Sequence, residues 1–345
     1  MSLIPLKSVK GVRRGMVENL SYKLREFLKS AQGKNVTLDY IRRELKINPD
    51  SPAYDGIRVL MFNCVKEKLV RRDGKNDGTF KVVTQVEPIQ VFGTLRERRP
   101  PFTLMFPRDR NTEMEMDFAN DVIMREGDIV LISGQSNFGK TALCMNFCGE
   151  NIDLMPVLMG NEYSTLDNQP SARFLNRLDA MNWVEWANGD GCDKFTLLPV
   201  RADYAEHIVK DKINIIDWIN LAGGALFDIS QFMEAIKLEL GRGIAIIALQ
   251  KGEDASAGRG GQFTKDFTDL ELLIDKLGQT ESLLTIGKVK EYKKPLRDKT
   301  FAFGISEGVK IVNFREVKKC GKCYGRGYTK AGECDVCYGL KFTDK

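Results

Sequence analysis

The chain has 345 residues, of which 43% are apolar and 29% charged, and its formal net charge is +5. These proportions predict a globular, soluble protein of two or three domains. No apolar run approaches the roughly 18 residues of a membrane span, and the N-terminal apolar segment is too short for a signal peptide. We therefore exclude a membrane protein and expect a cytoplasmic one.

Basic residues are concentrated in three stretches, at 66–72, 96–99 and 288–322. Local basic patches favour a polyanionic partner more than an evenly charged surface does. Ordinary solvated surface charge is the alternative for any single patch.

Residues 1–85 show apolar residues at helical spacing in three stretches, which predict helices at 16–31, 38–45 and 54–70. Thr37 is placed to cap the second helix. A polar turn at 71–78 and a strand-like run at 79–83 follow. Three helices and a hairpin resemble a winged-helix domain, whose third helix usually enters the major groove of duplex DNA.

The candidate DNA-binding side chains of this domain are basic and belong to the third helix or the wing: Arg58, Lys66, Lys68, Arg72, Lys75 and Lys81. A protein partner is the alternative, because basic charge alone permits DNA binding without requiring it. Residues 86–118 change in composition, and Pro100 and Pro101 cannot continue a helix. We interpret 86–118 as a linker that lies against the next domain.

Residues 119–318 alternate strand-like and helix-like runs, which predicts an α/β domain with a mostly parallel sheet and flanking helices. The strand-like runs are 129–133, 156–160, 213–216, 244–249 and 283–287.

The segment after the first of these strands fits the pattern G-x-x-x-x-G-K-[ST] and precedes a helix-like run, which is the context in which this motif binds nucleotide phosphates. Its glycines let backbone N–H groups face the phosphates, and the helix directs its positive end at the same anion. Lys140 can reach the β- and γ-phosphates of ATP, and the Thr141 hydroxyl can ligate Mg²⁺. The predicted cofactor-binding residues are Gly134, Gln135, Ser136, Asn137, Phe138, Gly139, Lys140, Thr141 and Ala142.

Two carboxylates follow predicted strands at the edge of the sheet that carries the phosphate loop. Asp217 closes the run 213–216 and can hold Mg²⁺, although an ordinary strand-ending aspartate is the alternative. Glu162 follows the run 156–160 and can act as the general base. The competing carboxylates are Glu150, Asp153 and Asp167.

Polar side chains also end later strands. Gln250 can contact the γ-phosphate and report its loss to the glycine-rich loop 252–269, in which Arg259 and Lys265 are candidate DNA contacts. Lys288 and Lys290 can reach the phosphates of a neighbouring subunit, as an arginine finger does. A charged, exposed strand is the alternative for these two lysines.

The C-terminal segment 319–345 contains two C-x-x-C units, formed by Cys320, Cys323, Cys334 and Cys337. Four thiolates are enough for a tetrahedral structural Zn²⁺ site, and so short a segment lacks a core of its own. A pair of redox dithiols is the alternative. The C-x-x-C-x-G-x-G pattern is similar to the zinc modules of DnaJ-type chaperones.

Residues 119–315 together resemble the RecA-like ATPase core, and most of all its DnaB-type replicative helicase branch. The resemblance rests on G-K-T-A-L at 139–143, on the glutamate after the second strand, on Ile215-Ile216-Asp217-Trp218 and on the form I-x-K-x-[RK] at 286–290. It implies a RecA-like ring or filament that hydrolyses ATP and grips single-stranded DNA with central loops. It also implies that 266–275 include the helix after the loop.

Three functions fit this resemblance. The first is an ATP-driven DNA helicase in replication. The second is a RecA- or RadA-like recombinase or repair filament, which Gln250, the glycine pair at 260–261 and lysine rather than arginine at position 290 favour. The third is a nucleotide-switched loader or regulator that binds duplex DNA through the winged helix. Residues 1–85 do not resemble the helical N-terminal domain of DnaB-type helicases.

Overall fold

The computed structural model describes residues 8–73, 78–84, 100–160, 162–219, 229–251 and 262–345. The chain divides into two compact units, Met1–Glu97 and Arg98–Lys345. Among the helices within these ranges, none combines the length and the apolar character that a membrane crossing requires.

The first unit contains three helices and a small antiparallel sheet with the strand order β1-β3-β2. Its elements are α1 (Ser8–Ser30), β1 (Asn35–Thr37), α2 (Leu38–Glu44), α3 (Ala53–Lys66), β2 (Val70–Arg72) and β3 (Thr79–Val82). Leu24, Ile41, Ile57 and Met61 are buried in a core that the helices share with the sheet. Thr37 caps α2 as predicted, because its hydroxyl accepts a hydrogen bond from the Tyr40 N–H at 3.1 Å.

The predicted third helix extends too far at its C-terminal end. The helix ends at Lys66, and Lys68 has a left-handed backbone with φ 59°. Val70 then begins β2 and pairs with Val82 of β3. Lys68 therefore lies in the turn between α3 and β2 rather than on the helix. Lys75 lies outside the described residues.

The second unit consists of a large sheet flanked by helices and a small C-terminal module. Its helices are α4 (Lys140–Glu150), α5 (Ala172–Ala180), α6 (Ile229–Glu239) and α7 (Gln262–Phe267), with short 3-10 turns at Ala119–Asp121, Ile152–Leu154 and Tyr204–His207. Its strands are β4 (Ile129–Gly134), β5 (Val157–Met159), β6 (Thr196–Leu198), β7 (Ile213–Ile219), β8 (Ile244–Gln250), β9 (Leu270–Leu277), β10 (Glu281–Val289), β11 (Thr300–Ser306), β12 (Lys310–Lys319), β13 (Tyr328–Thr329), β14 (Gly332–Glu333) and β15 (Phe342–Asp344).

The sheet has ten strands in the order β15-β12-β11-β10-β9-β4-β8-β7-β5-β6. The six strands from β9 to β6 are parallel, and the four on the other side, from β10 to β15, are antiparallel. Apolar clusters lie on both faces, which explains why β4 and β8 are nearly continuous apolar runs. The predicted α/β domain with a mostly parallel sheet and flanking helices is confirmed.

Part of the predicted linker packs into the second unit. Leu104, Phe106, Met116 and Phe118 are buried in the same core as β4 and α4, so the compact unit begins before residue 119. The part of the linker from 86 to 99 lies outside the described residues.

The resemblance placed a helix within 266–275, and this expectation is wrong. α7 ends at Phe267, and Leu270–Leu277 form β9, which pairs in parallel with β4. The run from 270 to 277 is short and apolar, and such a run does not distinguish a buried strand from a helix by its periodicity.

Candidate nucleotide-binding site

The phosphate loop connects β4 to α4 and forms one wall of a cavity of about 500 Å³. Its residues Ser136 to Ala142 line the cavity together with Glu162, Trp218 and Gln250. The carboxyl ends of β4, β5, β7 and β8 meet here, which is where parallel α/β sheets place their ligand sites.

Glycine is required at two points of this site. Gly139 has φ 98°, and a Cβ there would collide with the Ile305 side chain. At Gly160, which follows β5, a Cβ would collide with the main-chain oxygen of Asp217. The first glycine permits the left-handed turn into α4, and the second permits β5 and β7 to end side by side.

Lys140 is the first residue of α4 and is only 8% exposed. Its ammonium group donates a hydrogen bond to the main-chain oxygen of Gln135 at 2.7 Å. Burial lowers the pKa of Lys140, while the nearby carboxylates of Asp217 and Glu162 oppose that shift. A phosphate beside the ammonium group would add to the effect of these carboxylates and favour the charged lysine.

Asp217 lies within β7 rather than after it, and it is fully buried. Its Oδ2 accepts a hydrogen bond from the Tyr163 hydroxyl at 2.6 Å. Its Oδ1 has no hydrogen-bond partner among the described residues. Burial raises the pKa of Asp217, and the Tyr163 and Thr141 hydroxyls oppose that shift. The peptide bond between Asp217 and Trp218 is cis.

These residues fit a bound nucleotide and its magnesium ion. The phosphate loop leaves room where a Cβ would obstruct it, at Gly139. Thr141 lines the cavity, and its hydroxyl interacts with the buried carboxylate of Asp217, so the two side chains offer neighbouring oxygen ligands. In phosphate-binding sites Mg²⁺ usually takes one or two protein oxygens as ligands, and phosphate oxygens and water complete its coordination.

Glu162 lies at the wall of the cavity opposite the phosphate loop, with 35% of its side chain exposed. Arg177 of α5 is 3.6 Å from its carboxylate. The Ser171 hydroxyl caps α5 by accepting from the Phe174 N–H, and it donates to the main-chain oxygen of Glu162 at 2.9 Å. The start of α5 is therefore attached to the residue predicted as the general base.

The carboxylates that competed with Glu162 do not line this cavity. Glu150 is buried and forms ion pairs with Arg108 and Arg110. Asp167 accepts a hydrogen bond from the Thr165 hydroxyl in an exposed turn, and Asp153 is exposed. This arrangement favours Glu162.

Gln250 ends β8, and its side-chain amide donates to the Ser136 hydroxyl at 3.1 Å. It is thus in contact with the phosphate loop. The next residue, Lys251, is 7% exposed and pairs with the two carboxylate oxygens of Asp275 at 2.5 and 2.8 Å. Arg259 and the rest of the predicted loop from 252 to 261 lie outside the described residues.

Lys288 and Lys290 do not line the cavity of their own chain. The Lys290 ammonium group donates to Asp269 Oδ1 at 2.8 Å, and that of Lys288 donates to the main-chain oxygen of Lys265. Both lie near the beginning of β9, whereas the phosphate loop lies near its end. Lys265 belongs to α7 and pairs with the buried Glu271 at 3.4 Å, so it is not a free loop residue.

Four of the basic residues predicted to contact DNA in the first unit, Arg58, Lys66, Lys68 and Arg72, are exposed on α3, on the turn after it and on β2, whereas Lys81 on β3 is half-buried. Arg58 and Arg72 border a groove of about 260 Å³ that also exposes the apolar side chains Val59 and Phe62. The Lys66 ammonium group lies 4.6 Å from the centre of the Phe62 ring. This surface therefore combines positive charge with apolar area.

The four C-terminal cysteines form a buried cluster in which all Sγ atoms lie within 4.8 Å of one another. Sγ of Cys320 is 3.8 Å from that of Cys334, and Sγ of Cys323 is 3.6 Å from that of Cys337. A tetrahedral ion with Zn–S bonds of about 2.3 Å would place its sulfurs about 3.8 Å apart. The arrangement fits the predicted zinc ion.

Several residues at the nucleotide cavity were not predicted from the sequence. Tyr163 and Arg177 contact the two predicted carboxylates, and Arg173, Gln279 and Thr280 line the cavity. None of them belongs to a contiguous motif. The only local signal is that Arg173 and Arg177 are four residues apart, which places them on one face of a helix.

No family model and no curated protein sequence matches this chain. Two solved structures are similar to part of this chain. A KaiC-like protein, PH0186 from the hyperthermophilic archaeon Pyrococcus horikoshii OT3, is 17% identical, with a TM-score of 0.39 over 54% of this chain and 89% of that chain. The RadB recombinase is 13% identical, with a TM-score of 0.39 over 55% of this chain and 91% of that chain.

Proposed function

We propose that the protein is an ATP-dependent motor on DNA, a helicase of the DnaB type. The observation that carries this proposal is the convergence of the phosphate loop, Glu162 and Gln250 on one cavity, with the buried Asp217 directly behind Thr141 of that loop. Each component of ATP hydrolysis by a phosphate-loop enzyme has a candidate residue there.

The phosphate loop would bind the β- and γ-phosphates through its N–H groups and through Lys140. Thr141 and Asp217 would hold Mg²⁺, which neutralises charge on the phosphates when it is bound. Tyr163 keeps Asp217 oriented by donating to Oδ2, which leaves Oδ1 directed away from that hydrogen bond. This arrangement supports metal binding by one carboxylate oxygen.

Glu162 would take a proton from the attacking water. The guanidinium of Arg177 lies 3.6 Å from this carboxylate and would hold it at the wall of the cavity. Gln250, in contact with Ser136 of the phosphate loop, would change its contacts when the γ-phosphate leaves. The segment after Gln250 would then transmit this change to the DNA.

DNA contact is assigned to Arg58, Lys66, Lys68, Arg72 and Lys75 of the first unit and to Arg259 and Lys265 of the second, where Lys265 would exchange its ion pair with Glu271 for a phosphate. Lys288 and Lys290 would act on a neighbouring subunit of a ring or filament, since they lie away from the cavity of their own chain. The ammonium group of Lys288 contacts the main-chain oxygen of Lys265, and that of Lys290 contacts Asp269; a phosphate could replace either contact.

A recombinase-type filament is the second candidate function. The observation that favours it is the pair of lysines at 288 and 290 together with the contact between Gln250 and the phosphate loop. Both functions require ATP and single-stranded DNA, so only the reaction on DNA distinguishes them.

The test is steady-state ATP hydrolysis without nucleic acid, with single-stranded DNA and with duplex DNA, each at two salt concentrations. We expect stimulation by single strands that decreases at the higher salt concentration, because phosphate contacts release counterions. Lys140→Ala should abolish ATP binding and turnover; turnover by this variant would contradict the assignment of the phosphate loop. Activity that neither DNA stimulates would instead favour a nucleotide-switched loader or regulator.

Stimulation by single strands should be followed by two assays on the same preparation. Unwinding of a forked duplex without a homologous strand supports the helicase. Strand exchange between homologous DNAs without fork unwinding supports the recombinase.

A further inference from the structure

The first C-x-x-C unit is followed by a segment in which aromatic and basic residues alternate. Tyr324, Arg326, Tyr328 and Lys330 are all exposed, whereas the residues between them are buried or half-buried. Tyr324 is 78% exposed and Tyr328 is 63% exposed. The four side chains therefore form an outward surface, which we call the tyrosine–basic face.

The charge around this face is positive. Asp335 is neutralised by Lys322 at 2.6 Å, and Asp344 is neutralised by Arg315 at 2.8 Å. Among the described residues, neither Arg326 nor Lys330 has a carboxylate within ion-pair distance. The same is true of Lys319 and Lys341 in this module, and the module's remaining acidic residue is Glu333. A zinc ion with four thiolates would carry a net charge of about −2 and offset part of this excess. Arg326 and Lys330 remain exposed cations that an anionic partner would pair with.

The tyrosines are not explained by the packing of the module. Tyr324 and Tyr338 occupy equivalent positions after the second cysteine of each unit, and both have left-handed backbones, with φ 53° and 46°. Glycine or asparagine would adopt this conformation more easily than tyrosine does. Tyr338 is also 74% exposed. Neither the backbone conformation nor packing in a core therefore explains why an aromatic residue occupies these two positions.

We propose that the tyrosine–basic face binds single-stranded nucleic acid, with bases stacked on Tyr324 and Tyr328 and backbone phosphates paired with Arg326 and Lys330. Unpaired bases offer flat faces to aromatic rings, and basic side chains beside the rings can pair with the phosphates of the same strand. Exposed tyrosines also suit a protein partner, but unpaired cations between them favour a polyanion. This site acts without ATP and therefore goes beyond the proposed motor function.

The experiment measures binding of the full-length protein, without nucleotide, to fluorescein-labelled 12-nucleotide DNA and RNA of the same mixed sequence. Y324A/Y328A should weaken binding about tenfold or more, since each base stacked on an aromatic ring contributes substantially. Y324F/Y328F is the matched control and should stay within about twofold of the wild type, because phenylalanine preserves the ring. R326Q/K330Q should make the binding constant less dependent on salt. The negative slope of log K against log salt should become shallower by about 1.4, as expected for the loss of two phosphate contacts with a single strand.

Zinc content is measured for every variant, so that loss of the module's fold is recognised. Cross-linking of the same oligonucleotides carrying 5-iodouridine should label Tyr324 or Tyr328 in the wild type. Weaker binding of Y324A/Y328A to the DNA, to the RNA or to both supports the proposal and shows which kind of nucleic acid the face binds. Wild-type affinity of Y324A/Y328A for both strands would overturn it, as would equal competition by poly-glutamate, which carries charge but no bases. The assay contains no ATP, so a failure of the proposed hydrolysis leaves its result unaffected.

Discussion

Tyr163 is the residue on which the geometry of the candidate site depends most. It is fully buried, its hydroxyl holds Asp217 at 2.6 Å, and its ring lies 5.0 Å from that of Phe174 on α5. The residue beside it is Glu162. One side chain thus connects the predicted metal carboxylate, the predicted base and the helix that carries Arg177.

Tyr163→Phe should lower ATP turnover roughly tenfold and raise the Mg²⁺ concentration needed for half-maximal rate. The reason is that a hydrogen bond to a charged group contributes about 1.5–3 kcal/mol, and its loss leaves Oδ2 of the buried Asp217 without a donor. The measurement is a magnesium titration of the hydrolysis rate. Tyr204→Phe is the matched control, because Tyr204 is also buried but its hydroxyl has no hydrogen-bond partner among the described residues. Equal effects of the two substitutions would contradict a positioning role for Tyr163.

Glu162→Gln should bind ATP at nearly wild-type affinity and hydrolyse it at least about a hundredfold more slowly, because general base catalysis contributes about 10²–10⁴-fold. Binding is measured with a fluorescent ATP analogue and turnover by phosphate release. Asp167→Asn, which changes a competing carboxylate in an exposed turn, should leave both quantities unchanged. Normal turnover by the Glu162 variant would place the base elsewhere.

At this scale, the sequence predicted residues that belong to contiguous motifs and missed those that do not. The phosphate loop is a single run of eight residues, and its strand–loop–helix context was predicted together with it. Arg177 lines the cavity from α5, which Ser171 attaches to Glu162, and no spacing in the sequence encodes that contact. Lys265 was assigned to DNA because it follows a glycine-rich stretch, whereas its position in α7 depends on Glu271.

At the scale of elements, the beginnings of β4 and β9 carry an unusual pair of carboxylates. Asp269 is 4% exposed and accepts hydrogen bonds from Lys237 at 2.6 Å, from Lys290 at 2.8 Å and from the Ile129 N–H at 2.9 Å. Asp128 lies beside it and accepts from the Arg125 N–H at 2.7 Å. Burial and the charge of Asp269 raise the pKa of Asp128 to about 6.

Asp128→Asn should raise the Tm by a few degrees at pH 7.5, and the difference from the wild type should shrink as the pH falls to 4.5. The folded-state pKa of Asp128 is above its unfolded value, so as the pH falls the folded wild type takes up a proton before the unfolded chain does. The wild type therefore gains stability as the pH falls from about 6 to 4. Thermal unfolding of both proteins across this range provides the measurement. Asp153→Asn changes an exposed aspartate and serves as the control. A difference in Tm that is constant with pH would exclude this role for Asp128.

Element prediction succeeded where the apolar pattern was long and failed where it was short or interrupted by charge. β4 and β8 are runs of buried residues on both faces and were predicted with small errors. β9 contains Glu271, which is fully buried and surrounded by lysines. This charged residue interrupts the apolar run, so the sequence does not predict a central strand here. β6 has three residues, none of them fully buried, and gives almost no signal.

At the scale of the whole second unit, the module that carries the four clustered cysteines is joined to the sheet at both ends. β12 leads into the first cysteine unit, and β15, which follows the second, pairs with β12 through Val317, Lys318 and Lys319. Phe342 of β15 packs against a small apolar cluster formed by Leu277, Leu283, Ala302 and Val317. The segment from 319 to 345 is therefore an insertion within a strand pair rather than a free tail.

Cys334→Ser should release the metal and should also loosen β15, because the module that positions this strand lacks a core without its ion. We expect faster amide hydrogen exchange in 317–319 and 342–344, with little change in β4 or β8. The measurement combines zinc content with hydrogen exchange. Cys192→Ser, at an exposed cysteine outside the cluster, is the control. A full metal content in the Cys334 variant would show that the ligand set is different.

The pairing of β12 with β15 has a mechanical consequence. A module attached through one flexible segment would let its ligand drift while the catalytic domain changes conformation. Two adjacent strands form a stiff support instead, in which the hydrogen bonds between β12 and β15 oppose twisting of one strand relative to the other. A ligand bound to the cysteine module would consequently move together with the sheet that carries the phosphate loop.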